Sequence, residues 1–268
     1  MKKINPFATE LLDSIELPVL PEIVLKLNKM IREDAPNLEE IVALIESDAA
    51  IQLEVLRLAG TAKYGDRPKN VTTAVLRLGF TQLRDTLTLT TIRRRFAHVS
   101  PKIVDIREYW DHGLMVGSST VKIVAQEKIK CSVDPFVAGV LSNIGELILL
   151  QIMPDDFARG LYMHKDTEDR LDLEQVEFRC THKDIGAQLM LRWDLADEFI
   201  QTALNYLSPS NRVTSLPEAV ALAVECAHHF PECPRFWADR RTNDSPDSPE
   251  LVAASAEEYA ERKCILGV

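Results

Sequence analysis

The sequence predicts an all-α protein, a multi-helix bundle in two packed lobes, and three observations predict it. Apolar residues recur with the period of an amphipathic helix through most of the chain. The hydrophobic residues, 46% of the 268, are mostly Leu, Ile, Val and Ala, and aromatics make up only 6%. That mix suits helix packing better than a β-sandwich. No stretch alternates with period two for long enough to build a sheet.

The elements follow in chain order. Ile23, Leu27, Met30 and Ile31 mark a helix starting near Pro21, since proline is tolerated in a first turn. Leu38, Ile41, Val42 and Ile45 share a face behind an Asn37/Glu40 capping box. Asp48 is the expected N-cap of a helix carrying Ile51, Val55, Leu58 and Ala59. Val71, Ala74, Val75 and Leu78 repeat the pattern up to Gly79. It breaks at Ser100-Pro101, and a lobe boundary is expected between Ser100 and Asp105. The expected organisation is an N-terminal lobe over 1–100, a C-terminal lobe over 101–230, and a polar linker with a short helix over 231–268.

The second lobe opens with a helix over Tyr109 to Glu127. One strongly apolar helix, buried on most sides, is expected from Val133 to Ile152, with Pro154 ending it. The acidic stretch Asp166 to Asp172 is a loop or a helix lead-in. Helices follow over Leu173–Phe178, Lys183–Trp193 and Ala196–Leu207, and Ser215 with Glu218 forms another capping box with Pro217 in its first turn. Arg240 to Glu250 is an exposed linker, and Leu251 to Cys264 a last short helix.

Thirty-one Lys and Arg against 41 Asp and Glu leave a net charge of −10. This argues against a nucleic-acid partner, whose phosphates call for a basic footprint. The run Arg93-Arg94-Arg95 reads as a solvated helix end beside its C-terminal dipole. Five irregularly spaced cysteines suggest no disulfide framework. Met1-Lys2-Lys3-Ile4-Asn5-Pro6 leads into no apolar signal core, and Val137 to Ile152 is interrupted by Ser142, Asn143 and Glu146, so no membrane partner is expected. Together these describe a reducing, cytoplasmic protein. Cys226, His228, His229 and Cys233 contain ligand chemistry, but their spacing matches no zinc pattern. No nucleophile elbow, phosphate loop or dinucleotide fingerprint is present.

Several ordered motifs carry a resemblance. Leu17-Pro18-Val19-Leu20-Pro21, Leu58-Ala59-Gly60-Thr61-Ala62-Lys63-Tyr64-Gly65 and Ala74-Val75-Leu76-Arg77-Leu78-Gly79-Phe80 resemble the N-terminal half of HDOD domains. This bacterial output-domain family is related to the HD metal-dependent phosphohydrolases. Trp110-Asp111-His112 is similar to the family's Trp-x-His motif, and Thr181-His182-Lys183-Asp184-Ile185-Gly186-Ala187 with Trp193-Asp194-Leu195 to a later histidine block. Phe136 to Gly145 lies where the family often reads Gly-Leu-Leu-His-Asp-Ile-Gly. Gly60-Thr61 departs from a common Asn-Ser, a local difference.

The resemblance implies a site without hydrolytic residues. The essential His-Asp pair is Ser142-Asn143 here, and a later His-His position is Asn205-Tyr206. Neither serine nor a neutral amide rivals imidazole and carboxylate as a divalent-metal ligand. Ala221 to Val224 offers no aspartate as a last ligand. His112 and His182 remain, short of the three or so protein ligands a catalytic zinc needs. Ser142, Asn143, Asn205 and Tyr206 are expected to satisfy one another as a polar core. The implied protein is a non-catalytic signal-transduction module with no metal or cofactor and with signalling proteins as partners. The alternative is a residual phosphohydrolase or nucleotide-binding protein using His112 and His182. The expected partner surface is the seam between lobes, near Lys63, Tyr64 and Arg84, with Lys63 and Arg84 exposed at its edge.

Overall fold

The computed structural model describes residues 5–17, 19–33, 35–60, 67–97, 105–153, 167–207, 212–234 and 249–266. Among them every regular element is a helix and none is a strand. Lys63, Tyr64, most of the expected boundary (100–104) and most of the expected linker (240–248) lie outside the described residues.

The first core is built by α2 (Glu22–Ile31), α3 (Leu38–Glu46), α4 (Ala49–Ala59) and α5 (Val71–Leu78). Their apolar stripes are those the periodicity marks, α2 starts behind Pro21 without a side-chain cap, and the starts of the other three are fixed by side chains. Asn37 accepts from the backbone N–H groups of Glu39 and Glu40, Asp48 from those of Ala50 and Ile51, and Asn70 from that of Thr73, satisfying donors that a helix start leaves orphaned. Gly79 joins α5 to α6 (Phe80–Arg95) at φ 74°, a left-handed corner at which a side chain is strained.

Helix α6 serves both cores. Leu83 and Leu87 lie in the first, and Leu89, Ile92 and Phe96 in the second. A helix packed on both sides has no polar face, and this one buries Thr86, Thr88, Thr90 and Thr91. Thr90 and Thr91 donate back to the Leu87 carbonyl at 3.0 and 2.8 Å, and Thr88 donates to Asn28 at 3.2 Å.

The second core centres on α7 (Ile106–Glu127), flanked by α8 (Pro135–Leu141), α13 (Leu216–His228) and α14 (Pro249–Leu266). Beside it α11 (His182–Arg192) packs on α9 (Ile144–Ile152), α12 (Asp197–Asn205) and α1 (Pro6–Asp13). Helix α10 (Thr167–Phe178) precedes α11. Core membership does not follow chain order, because Ala8 and Leu12 of α1 belong to the second core. Gly117 of α7 and Gly139 of α8 let these two backbones meet: a Cβ on Gly139 would sit 2.7 Å from the Cα of Gly117.

Three expectations change. The apolar stretch Val133 to Ile152 is two helices, because Ser142 and Asn143 form a turn between α8 and α9. The eighteen residues Pro135–Ile152 are apolar enough to cross a membrane, but 78% of them are buried within the protein. The acidic stretch is helical from Thr167. Arg84 is not exposed: it is 7% exposed, pairs with Asp85 and donates to the Ser132 carbonyl at 3.3 Å. Asp85 also accepts from the Asp134 backbone N–H at 2.6 Å. This buried pair ties α6 to the segment entering α8, so changing Arg84 would break a junction rather than probe a surface.

Candidate functional site

Five helices and one turn converge on a buried polar cluster. Thr181 caps α11 through a capping box with Asp184, which sets His182 at the first helical position. There its backbone N–H, an orphan donor, finds the Glu174 carboxylate of α10 at 2.7 Å. The ring Nδ1 of His182 lies 2.8 and 2.7 Å from the two oxygens of the same carboxylate. Its Nε2 meets the hydroxyl of Tyr206, at the C-cap of α12, at 2.9 Å. Tyr206 donates to Asn143 Oδ1 at 2.6 Å, and the Asn143 amide donates to Glu146 of α9. Arg170 of α10 stands 3.8 Å from Glu146. From α7, Tyr109 donates to the Asn143 carbonyl at 3.0 Å.

The cluster is dry. Glu146, Glu174, His182 and Tyr206 are each at most 4% exposed. Burial, and after it the Glu146 charge, holds the phenols of Tyr109 and Tyr206 well above their ordinary value, so both are donors.

The structure brings Asn143, His182 and Tyr206 together, as a mutually bonded set. Ser142 and Asn205 do not join them: Ser142 donates to the Gly139 carbonyl at 2.8 Å and Asn205 to that of Gln201 at 2.7 Å, each within its own segment. His112 has other surroundings, stacked on His228 of α13 with ring centroids 5.4 Å apart. Sequence reasoning missed Tyr109, Glu146, Arg170 and Glu174, and it singled out His228 only beside Cys226, His229 and Cys233, not beside His112. A signal was present for two of them: Arg170 and Glu174 fall four apart, on one face of a helix.

A sequence model of the HDOD domain matches residues 17–222. The chain belongs to the HDOD family. The HDOD fold recurs in a Shewanella amazonensis protein described as a candidate phosphohydrolase, with TM-score 0.70 at 19% identity over 98% of this chain and 97% of that one. A protein from Marinobacter aquaeolei VT8 described as a candidate signal transduction protein is similar with TM-score 0.67 at 20% identity, over 99% of this chain and 65% of that one. At these identities the likeness is one of fold. An uncharacterized protein of Treponema pallidum (strain Nichols) is 25% identical over 201 residues, which cover 73% of this chain. The chain spans 38% of that relative's length.

HD-type chemistry needs a metal held by imidazoles and carboxylates, which lowers the pKa of a bound water and clamps phosphate oxygens. The residues present do not fit one. Both ring nitrogens of His182 are engaged by Glu174 and Tyr206, Asn143 supplies only a neutral amide, and the Arg170 cation stands beside Glu146. Among the described residues no group of three or more His, Cys, Asp or Glu is arranged to hold an ion.

Proposed function

We propose that this HDOD protein is a cytoplasmic signal-transduction module that acts by binding another protein and does not hydrolyse phosphoesters. One observation carries the reading: the Tyr206 hydroxyl stands between His182 and Asn143 and fills the site with its own hydrogen bonds. A substrate phosphate would have to displace a bonded, buried phenol and then face two buried carboxylates. The signal-transduction description of the Marinobacter protein agrees with this reading, and the phosphohydrolase description of the Shewanella protein favours the alternative, in which His112 and His182 retain nucleotide binding or hydrolysis.

The surface that suits a partner is a cleft of about 680 Å³ between the two cores, lined by Leu78, Phe80, Val124, Ile129, Val133 and Lys128 among others. It combines apolar walls with a charged rim, the composition of a helix-binding groove. Lys128 is exposed, at the C-cap of α7, and can be changed without opening a core cavity.

Affinity capture with the full chain and with Lys128→Glu tests the reading, alongside assays of phosphodiester hydrolysis and of thermal shift with nucleotides. A partner bound by the parent and lost by the folded variant supports it. Hydrolysis that disappears in His182→Ala, or a nucleotide-dependent rise in melting temperature, overturns it.

A further inference from the structure

The cleft between the two cores is built to favour negative charge. Helix α6 starts in it, and Gly79, Phe80, Thr81 and Gln82 all line it. Gly79 is the N-cap of this 16-residue helix, with no side-chain cap and no acid in the first turn. The backbone N–H groups of Phe80, Thr81 and Gln82 have no partner among the described residues, and the positive end of the helix dipole lies with them. A second, independent group belongs to the same space. Arg262 of α14 lines the cleft although it is only 8% exposed. Its guanidinium lies over the Phe136 ring, 4.5 Å from the centroid, and its Nε donates to Glu258 at 2.8 Å. Its two terminal nitrogens have no partner among the described residues. Glu258 also pairs with Lys122 at 3.2 Å, so one carboxylate serves two cations. Lys128 adds an exposed ammonium to the lining. Asp134, the acid of the lining, is turned to its own helix, where it accepts from the Phe136 N–H at 2.8 Å.

We propose that the cleft accepts an amphipathic partner helix that is acidic along one edge, with a carboxylate of that edge bound between the N-terminus of α6 and Arg262. The apolar walls, Leu78, Val124, Ile129 and Val133 among them, take its hydrophobic face. The carboxylate accepts from backbone N–H groups and the guanidinium together, in charge-assisted bonds that are stronger than those between neutral groups. A helix edged with Lys sets like charges against Arg262 and Lys128, which selects against it. This inference rests on the reading of the cleft as the partner surface and adds which kind of helix it takes.

The test is backbone ¹H–¹⁵N NMR of the deuterated full chain. It is titrated with two synthetic amphipathic helices that share a Leu/Ile face and carry either Glu or Lys along its edges, and with inorganic phosphate. Expected is tighter binding of the Glu peptide, with the amide signals of Phe80, Thr81 and Gln82 moving together with those of Val124 and Ile129. Arg262→Gln should weaken that peptide about tenfold, the scale of one hydrogen bond to a charged group. If Arg262→Gln does not fold, Thr81→Pro serves in its place. It removes one of the N–H groups at the same first-turn position that Pro217 holds in α13, and it should weaken the Glu peptide without moving the Lys peptide. Equal binding of the two peptides, or unmoved amides at Phe80 to Gln82, overturns the proposal and leaves the cleft standing as a partner surface. Phosphate that binds there as tightly as the Glu peptide assigns the subsite to a free small anion and overturns it too, as does failure of both peptides to bind. The cleft reading is judged separately, by partner capture with Lys128→Glu, so the two fail independently.

Discussion

Gly145, in the first turn of α9, lies directly against His182: a Cβ built on it would fall 1.8 Å from the His182 carbonyl oxygen and 2.6 Å from the Gly186 backbone nitrogen. Both obstacles are backbone, so no rotamer change can relieve them. The contact places the turn at Asn143 within reach of Tyr206. Gly145→Ala is expected to destabilise the fold by about 3 kcal/mol, the upper part of the overpacking range. For Gly186→Ala the nearest neighbour is 3.2 Å away, and the roughly 0.5–1 kcal/mol gained in helix propensity offsets part of the strain. Urea unfolding should rank Gly145→Ala clearly below Gly186→Ala. Equal losses would mean that α9 and α11 can slide apart freely.

Tyr206→Phe keeps the ring volume and removes the group that bonds both His182 and Asn143. Two buried polar groups then lack a partner, which costs about 1–3 kcal/mol. Denaturant unfolding of Tyr206→Phe, Asn143→Leu and the double variant gives the coupling, expected at about 1 kcal/mol or more because the groups touch. Additive losses would show that the hydroxyl contributes no stabilising link.

The helices of the first core were legible because each needs only a local pattern: an apolar stripe of period 3.6 and a local start signal, Pro21 for α2 and an Asn or Asp cap for α3, α4 and α5. The split at Ser142-Asn143 was not, because apolar residues run on through both flanking helices and the turn is set by the contact of Gly145 with α11. The cluster was half legible for a similar reason. Family motifs pointed to Asn143, His182 and Tyr206, whereas Glu174 and Arg170 lie in an acidic, charge-rich segment that resembles a solvated helix. Only packing shows that their face turns inward. Arg84 was misplaced likewise: nothing local distinguishes a surface arginine from one bound to Asp85 in a junction.

Glu54 of α4 joins the basic end of α6 to the first core. Burial alone would raise its carboxyl, but hydrogen bonds and charge from Arg57 and Arg94 outweigh burial and hold it below 4.5. A depressed folded-state value means stability present above the unfolded value and lost as pH falls through the folded one. Arg57 and Arg94 are 40% and 63% exposed, so solvent screens much of the attraction. Glu54→Gln is expected to cost about 1 kcal/mol at neutral pH, with the gap to the parent closing below about pH 4.5, as measured by urea unfolding across pH. A gap independent of pH would assign the effect to packing rather than charge.

Cys131 and Cys180 provide a chemical test of the second core. Burial first, then Glu198 and Asp134, raises the Cys131 thiol from 9.0 to about 11; burial first, then Asp184 and Glu174, raises Cys180 to about 12. The thiolate is the reactive form, so a two-unit rise reduces its fraction at pH 8 by about 100-fold. Cys131 is partly accessible and should alkylate with iodoacetamide at about that reduced rate relative to a thiol titrating near 9.0, accelerating about tenfold per pH unit toward 11. Cys180, fully enclosed, should react only through opening of the fold, with a rate that tracks urea concentration rather than pH alone. Mass spectrometry of timed alkylation distinguishes the two. Prompt modification of Cys180 in the native protein would mean that the segment joining α10 to α11, which carries His182 into the cluster, is not packed as described.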